Sequence, residues 1–298
     1  MEVATQHSRR TGRRFRVGLT LHPPAPADAA VARYFYSTLL PADSRRDFAF
    51  YRFPEMAAHL YVVIETRAGR ATAQARVSAP NARLRRVEHE PRAAHIVGVE
   101  LFPGAAAEVL GADLSRLAAD TALSELWGDS TFELEQRLIE APADARVTVL
   151  RRCLAPRFER ARSSTHAARI SAIVSELERL SVSELAKRMG CSPRQLQRRW
   201  RHYVGMTPRA YKRLARAQIV LAAIAQSERV DWKKLAESAG YADHAHLVRD
   251  FAAIMGVSPA HLLREIDFVP DALPIGWLVV PRHRHSPPGI TLSRPTRG

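Results

Sequence analysis

Cysteine is nearly absent from this 298-residue chain, which has only Cys153 and Cys191. Two thiols build no disulfide framework, and no C-x-x-C pattern exists to hold zinc. That usage fits a reducing compartment, and a cytoplasmic location is expected. Long apolar runs are missing too. The longest, Ile219–Ala225, has seven residues, against the roughly 20 a membrane helix needs. Val17–Leu21 is too short for the apolar core of a secretion signal before Pro23-Pro24. Acidic groups are the third shortage, with 30 Asp+Glu against 45 Lys+Arg and a net charge of +15. Such a balance favours a polyanionic partner, nucleic acid before membrane surface.

Catalytic and metal-binding groupings are also lacking. His59, Glu65, Glu88, His89 and Glu100 fall on segments read as strands, but no spacing assembles an acid–base pair or a nucleophile motif. His244-x-His246 and the Arg-His-Arg-His run at 282–285 have no carboxylate or thiol at ligand spacing. The expectation is a non-enzyme with no catalytic residue, no cofactor and no metal.

The positive charge is unevenly placed. Residues 1–16 have five basic and one acidic side chain, and read as a basic flexible N-terminus. Residues 17–164 are nearly neutral, with nineteen basic and eighteen acidic groups, whereas 165–266 hold seventeen and nine. A boundary is expected near 157–165, in the polar stretch FERARSSTHAAR after Pro156. This gives a sensory or oligomerisation domain over 17–160 and a basic domain over 165–266. The tail, 267–298, has six prolines and no periodicity, and reads as disordered, with GWLVV (276–280) its one candidate strand.

Within the first domain, FAFYRF (48–53), HLYVVIE (59–65) and AHIVGVELF (94–102) are short β-branched or aromatic runs between Pro and Gly. From Pro103 the pattern turns helical: PGAAAEVLG, then TFELEQRLIEAP (131–142), capped by Asp129 or Ser130, then ADARVTVLRRCLAP (143–156). The fold class is α+β, a small sheet or barrel plus helices, followed by an all-α domain.

The all-α domain contains an internal repeat. Leu185 and Leu235 each precede a glycine, Gly190 and Gly240, by five residues. Leu196 and Leu247 each precede Gly205 and Gly256 by nine, and Pro208 and Pro259 follow three later. Each copy reads as helix, tight turn, helix. In the first, Ser181-x-x-Glu184 is a capping box, Gly190 stops the helix, and Ser192 with Pro193 starts the next. Leu196, Trp200 and Tyr203 then form one buried stripe, which turns Arg194, Gln195, Gln197, Arg198 and Arg201 outward. In the second, Asp231 and Asp243 are the caps, Leu247, Phe251 and Ile254 the stripe, and His244, Ala245, Val248 and Arg249 the outer face. A helix from Thr207-Pro208 to about Gln226, with no Gly or Pro in its interior, would hold the copies apart. This is the helix-turn-helix layout, in which the second helix enters the DNA major groove. Arg pairs bidentately with guanine and Gln with adenine.

Ala236, Gly240, Tyr241, Asp243, Ala245, His246, Leu247, Arg249, Phe251, Gly256, Ser258 and Pro259 follow a pattern closely resembling the DNA-binding domain of the AraC/XylS family of bacterial transcription regulators. The resemblance covers about 169–266. Ala245 stands where that family often has Ser, and Ala252-Ala253 where it has basic residues, which implies a weaker phosphate grip for the second copy. VGVELFPGAAAEVLG (97–111) and LSELWGDSTFELEQRLIEAP (123–142) resemble the N-terminal domain of one subset of the same regulators.

The resemblance implies a sequence-specific regulator of transcription that binds a bipartite site in double-stranded DNA through successive major grooves. Its DNA-binding residues would be Arg194, Gln195, Gln197, Arg198, Arg201, His244, Ala245, Val248 and Arg249. His246 would pack or cap near the turn. A small-molecule effector, RNA polymerase and a second copy as homodimer are the further partners implied, and no membrane. The alternative is an enzyme or binding module that uses the two copies only to localise on DNA.

Overall fold

The computed structural model describes residues 5–7, 14–16, 18–40, 48–81, 85–87, 93–174, 176–177, 179–226, 229–265 and 277–281. The N-terminal half is built on an antiparallel sheet of β3 (Gly18–His22), β4 (Ala32–Leu40), β6 (Ala58–Arg67), β7 (Arg70–Ser78), β9 (Ala94–Leu101) and β10 (Thr121–Ala122), ordered β10-β7-β6-β9-β4-β3. Alternation along the strands sets the two faces. Leu60 pairs with Val99, which pairs with Phe35, and Val62 pairs with Val97. These side chains form one core with α1 (Ala106–Leu110), α3 (Ser130–Glu140) and α4 (Arg146–Ser163), while the short α2 (Ser124–Trp127) leads into α3. The opposite face presents Tyr34, Tyr36, His59, Tyr61 and Glu100, which share its registers. Gly98 lies among them, and a Cβ there would stand 2.5 Å from the Tyr36 ring and hydroxyl. Only glycine lets that ring lie across the strand.

Strands form at both chain ends. Within 1–16, read as flexible, β1 (Thr5–His7) and β2 (Arg14–Arg16) pair antiparallel. Within 267–298, read as disordered apart from the candidate strand at 276–280, β11 (Trp277–Pro281) falls on that candidate and pairs with β5 (Phe48–Arg52), which also pairs with β8 (Arg85–Val87). Strand pairing satisfies backbone groups that composition alone leaves to water. The rest of the tail, and Glu88 and His89, lie outside the described residues.

The expected stop at Pro156 is also corrected, because α4 runs through it to Ser163. Val147, Leu150, Leu154, Phe158 and Ala161 are buried on one stripe that continues beyond the proline. Phe158 packs on Phe35 with ring centroids 6.1 Å apart. Burial of this kind, roughly 1.5–3 kcal/mol for a Phe or Leu side chain, opposes the about 3 kcal/mol a mid-helix proline costs. At the start of α3, Asp129 holds the N-cap position without a side-chain cap bond.

The C-terminal core begins in α5 (Thr165–Val174), with Ile170 and Ile173, and continues through six helices. These are α6 (Val182–Arg188), α7 (Pro193–Val204), α8 (Pro208–Gln226), α9 (Trp232–Ser238), α10 (His244–Met255) and α11 (Pro259–Glu265). Trp200, Leu214, Val220, Phe251 and Leu262 are fully buried there. No helix among the described residues is long and apolar enough to cross a membrane.

Candidate nucleic-acid interface

The first helix–turn–helix is α6 and α7. The Ser181 hydroxyl accepts from the Glu184 N–H, and the Glu184 carboxylate accepts from the Ser181 N–H at 2.7 Å. Those bonds stabilise the Glu184 carboxylate and hold it below its usual pKa. Gly190 turns the chain at φ 61, a conformation that glycine adopts without steric cost. A second capping box joins Ser192 and Gln195 at the start of α7, completing the cap expected from Ser192 alone. Ser192 donates its N–H to Gln195 Oε1 at 2.9 Å. Gln195, expected as a reader of bases, therefore has its carbonyl engaged in a cap.

Leu196 and Trp200 are buried as expected, but Val204 completes the stripe and Tyr203 is half-buried. Tyr203 faces the N-terminal half and donates its hydroxyl to Glu108 at 3.0 Å. With that stripe inward, Arg194, Gln195, Gln197, Arg198 and Arg201 are all exposed. Among nearby cations, Arg188 pairs with Glu176, and Lys212 donates to the Leu180 carbonyl at 2.9 Å. Both are engaged within the protein.

The second helix–turn–helix is α9 and α10. Asp231 accepts from the Lys234 N–H at 3.1 Å and Asp243 from the His246 N–H at 2.6 Å, so both caps are formed. Leu247, Phe251 and Ile254 are buried, and His244, Ala245 and Arg249 are exposed. Val248 is half-buried against the core rather than fully outward. His246 packs edge-on against the Tyr241 ring at 5.3 Å, beside the turn at Gly240. Arg198 stands two residues after Leu196 and Arg249 two after Leu247, so the repeat gives both copies an exposed arginine at one equivalent position. The nineteen-residue α8 joins the copies, a rod of roughly 28 Å at 1.5 Å per residue.

Among the described residues, the N-terminal half grips this domain at three places. Glu108 accepts from both Tyr203 and Ser164, the residue between α4 and α5. The Gly104 N–H donates to the Tyr203 carbonyl at 3.3 Å, and Asp113 lies 3.5 Å from His202. The third place is a strap, residues 53–56. Phe53, 1% exposed, is buried in the C-terminal core, Met56 packs against it, and Gln218 of α8 donates to the Pro54 carbonyl at 2.5 Å.

Glu55, within the strap, reaches back into the sheet. Its carboxylate lies 3.8 Å from His59, which lies 3.8 Å from Glu100, and all three are buried. Tyr34 and Arg33 both donate to Glu100, while burial pushes that carboxyl upward. His59 and Glu100 were noted in the sequence as unassembled. Their direct cross-strand pairing depends on register, and neither that register nor the return of Glu55 is written in their spacing. Glu65 is half-buried, six residues beyond His59 along β6.

A second buried group was missed altogether. Ser37 and His95, on the helix-covered face, stand 2.8 Å apart, and Arg146 lies 2.8 Å from the other ring nitrogen.

Residues 185–265 match the family model described as a helix-turn-helix domain. No curated protein sequence matches the chain. Among solved structures, it is similar to ToxT from Vibrio cholerae O395 at 7% identity, covering 83% of this chain and 96% of that one, with a TM-score of 0.37. It is also similar to ToxT from the same strain bound to (E)-4-(8-methylnaphthalen-1-yl)but-3-enoic acid, at 10% identity, 83% and 98% coverage and a TM-score of 0.37. A third is unsaturated fatty acid bound wild-type ToxT from Vibrio cholerae strain SCE256, at 11% identity, 83% and 94% coverage and a TM-score of 0.34.

Proposed function

We propose, from the match of residues 185–265 to a helix-turn-helix domain, that this chain is a cytoplasmic, sequence-specific regulator of transcription of the AraC type. One observation supports this above all. Two capped helix–turn–helix units, alike in spacing but for one extra residue in the second turn, turn exposed polar faces outward from a single joining helix, with Arg198 and Arg249 at equivalent positions. Each face enters a major groove, and the two grooves lie about 34 Å apart if one helical turn separates them. Arg194, Gln197, Arg198 and Arg201 read or grip the first half-site; His244, Ala245 and Arg249 serve the second, with Val248 contributing only its exposed edge. Gln195 contributes through its amide N–H groups.

The N-terminal domain controls occupancy by receiving a small molecule or a second copy of the chain, with RNA polymerase the downstream partner. The strap supports that reading, because one four-residue segment packs in the DNA-binding core and ends in the buried Glu55–His59–Glu100 group. A ligand or subunit that shifts this group shifts α8 with it.

Genome-wide mapping of DNA bound by the full chain is the test. A compact bipartite consensus is expected, and binding without any consensus would overturn the reading.

A further inference from the structure

The second reading head is held to the linker helix by a set of side chains that the helix–turn–helix pattern does not call for. Arg213 and Arg216 stand three residues apart on α8 and so share one face of it. Arg213 Nε donates to Asp250 Oδ1 at 2.7 Å, and Arg216 Nη2 lies 3.8 Å from Asp250 Oδ2. Arg216 then passes over the Tyr241 ring, its guanidinium carbon 4.9 Å from the centroid, and reaches toward the Gly240 carbonyl at 3.4 Å. The two arginines therefore grip this head at both its recognition helix and its turn. Asp250 is only 10% exposed, so its charge is poorly served by water and depends on these partners. Burial and the Asp250 charge push the Tyr241 phenol up to about 12.

The repeat itself shows that this set is particular to the second head. Asp250 stands three residues after Leu247, where the first head has Arg199 three after Leu196. Tyr241 follows Gly240, where the first head has Cys191 after Gly190. An acid at that position is thus not needed to fold a helix–turn–helix in this chain. On α10 it lies between Arg249, which is exposed, and Phe251, which is in the core. It is well placed to fix the rotation of that helix about its own axis.

We infer that Asp250, Arg213 and Arg216 are positioning residues that lock the second recognition helix against the linker, and thereby set the spacing and phase of the two half-sites the protein accepts. The inference rests on the regulator reading above. It also removes Arg213 and Arg216 from the residues that neutralise phosphates, although composition alone would count both.

The test uses the full chain and the bipartite site it selects from random DNA. One base pair inserted between the half-sites turns the second by about 34° and moves it about 3.4 Å. Wild type is expected to lose about tenfold or more in affinity on that insertion. Asp250→Ala and Arg213→Gln are expected to lose less than about threefold, with the salt slope unchanged, and Asp250→Glu to behave as wild type. A phosphate-contacting Arg213 would instead lower the slope by about 0.9 on substitution, and that result overturns the inference. So does unchanged spacing discrimination in Asp250→Ala, or none in wild type.

A readout without DNA separates failure of this inference from failure of the regulator reading. Spin labels at Ser183→Cys and Lys234→Cys, with Cys153 and Cys191 replaced by Ala, report the distance between heads. A distribution broadened by Asp250→Ala or Arg213→Gln supports the lock, and an unchanged width in both refutes it, whether or not a consensus is selected.

Discussion

Ser37 and His95 have the separation of a nucleophile and its base, and Arg146 decides what the pair can do. A guanidinium only donates, so the ring nitrogen it meets must accept. In the neutral ring the proton then sits on Nε2 and is donated to Ser37, which leaves no lone pair to take the serine proton. Burial first, and then the Arg146 charge, lower His95 to about 4, which keeps that neutral form. The folded value lies below the unfolded one, near 6.5. The stabilising contribution is therefore full above about 6.5 and is lost as pH falls toward 4. Thermal unfolding between pH 7 and pH 4 should show this as an acid limb that His95→Gln flattens; an identical limb in the variant would refute it. Ala68 gives a second prediction at this scale. It turns the β6–β7 hairpin at φ 48, with Gly69 at φ 79, a two-residue turn that favours Asn-Gly. Ala68→Asn should raise stability by about 0.5–1 kcal/mol in denaturant titration.

Among the elements, those whose reason is local were legible in sequence. The caps at Ser181, Ser192, Asp231 and Asp243 and the turns at Gly190 and Gly240 follow from side-chain chemistry within a few residues, and all are present. What escaped was set by partners distant in the chain. Pro156 did not end α4 because Phe158 had a site waiting against Phe35. Tyr203 left the stripe because Glu108, 95 residues away, accepts its hydroxyl. The strap is the strongest case, since a phenylalanine following an N-terminal strand is buried in the C-terminal core. Truncating it should therefore destabilise the wrong half by the logic of sequence position. Phe53→Ala should cost about 3–5 kcal/mol, and hydrogen exchange should rise across 170–262 more than across 94–101. Loss of protection confined to the sheet would contradict that placement. Gly205 ends α7 at φ 82, and a Cβ there would lie 3.3 Å from Leu114. Gly205→Ala should cost about 1–2 kcal/mol and loosen the contact between halves, read as faster proteolysis near Ser164.

Over the whole molecule, charge divides unequally between the two helix–turn–helix units. Residues 181–220 have ten basic groups and one acid, whereas 227–266 have five and six. The internal pairs reduce the first figure, since Arg188, Arg213 and Arg216 face Glu176 or Asp250. The exposed Arg194, Arg198 and Arg201 still leave the first head the more cationic surface. Arg198→Ala with Arg201→Ala should flatten the salt dependence by one to two units, at about 0.9 per phosphate. Arg249→Ala should change it by one unit at most. In the proposed function both heads read bases, through arginines at one equivalent position of the repeat. The most direct test of this is a titration of Arg198→Ala and Arg249→Ala against the selected site and against versions with one half-site scrambled. Each substitution should lose about 1–3 kcal/mol on the intact site, and lose nothing further when its own half-site is scrambled. Losses of equal size on every version of the DNA, or none on the intact site, would contradict the claim.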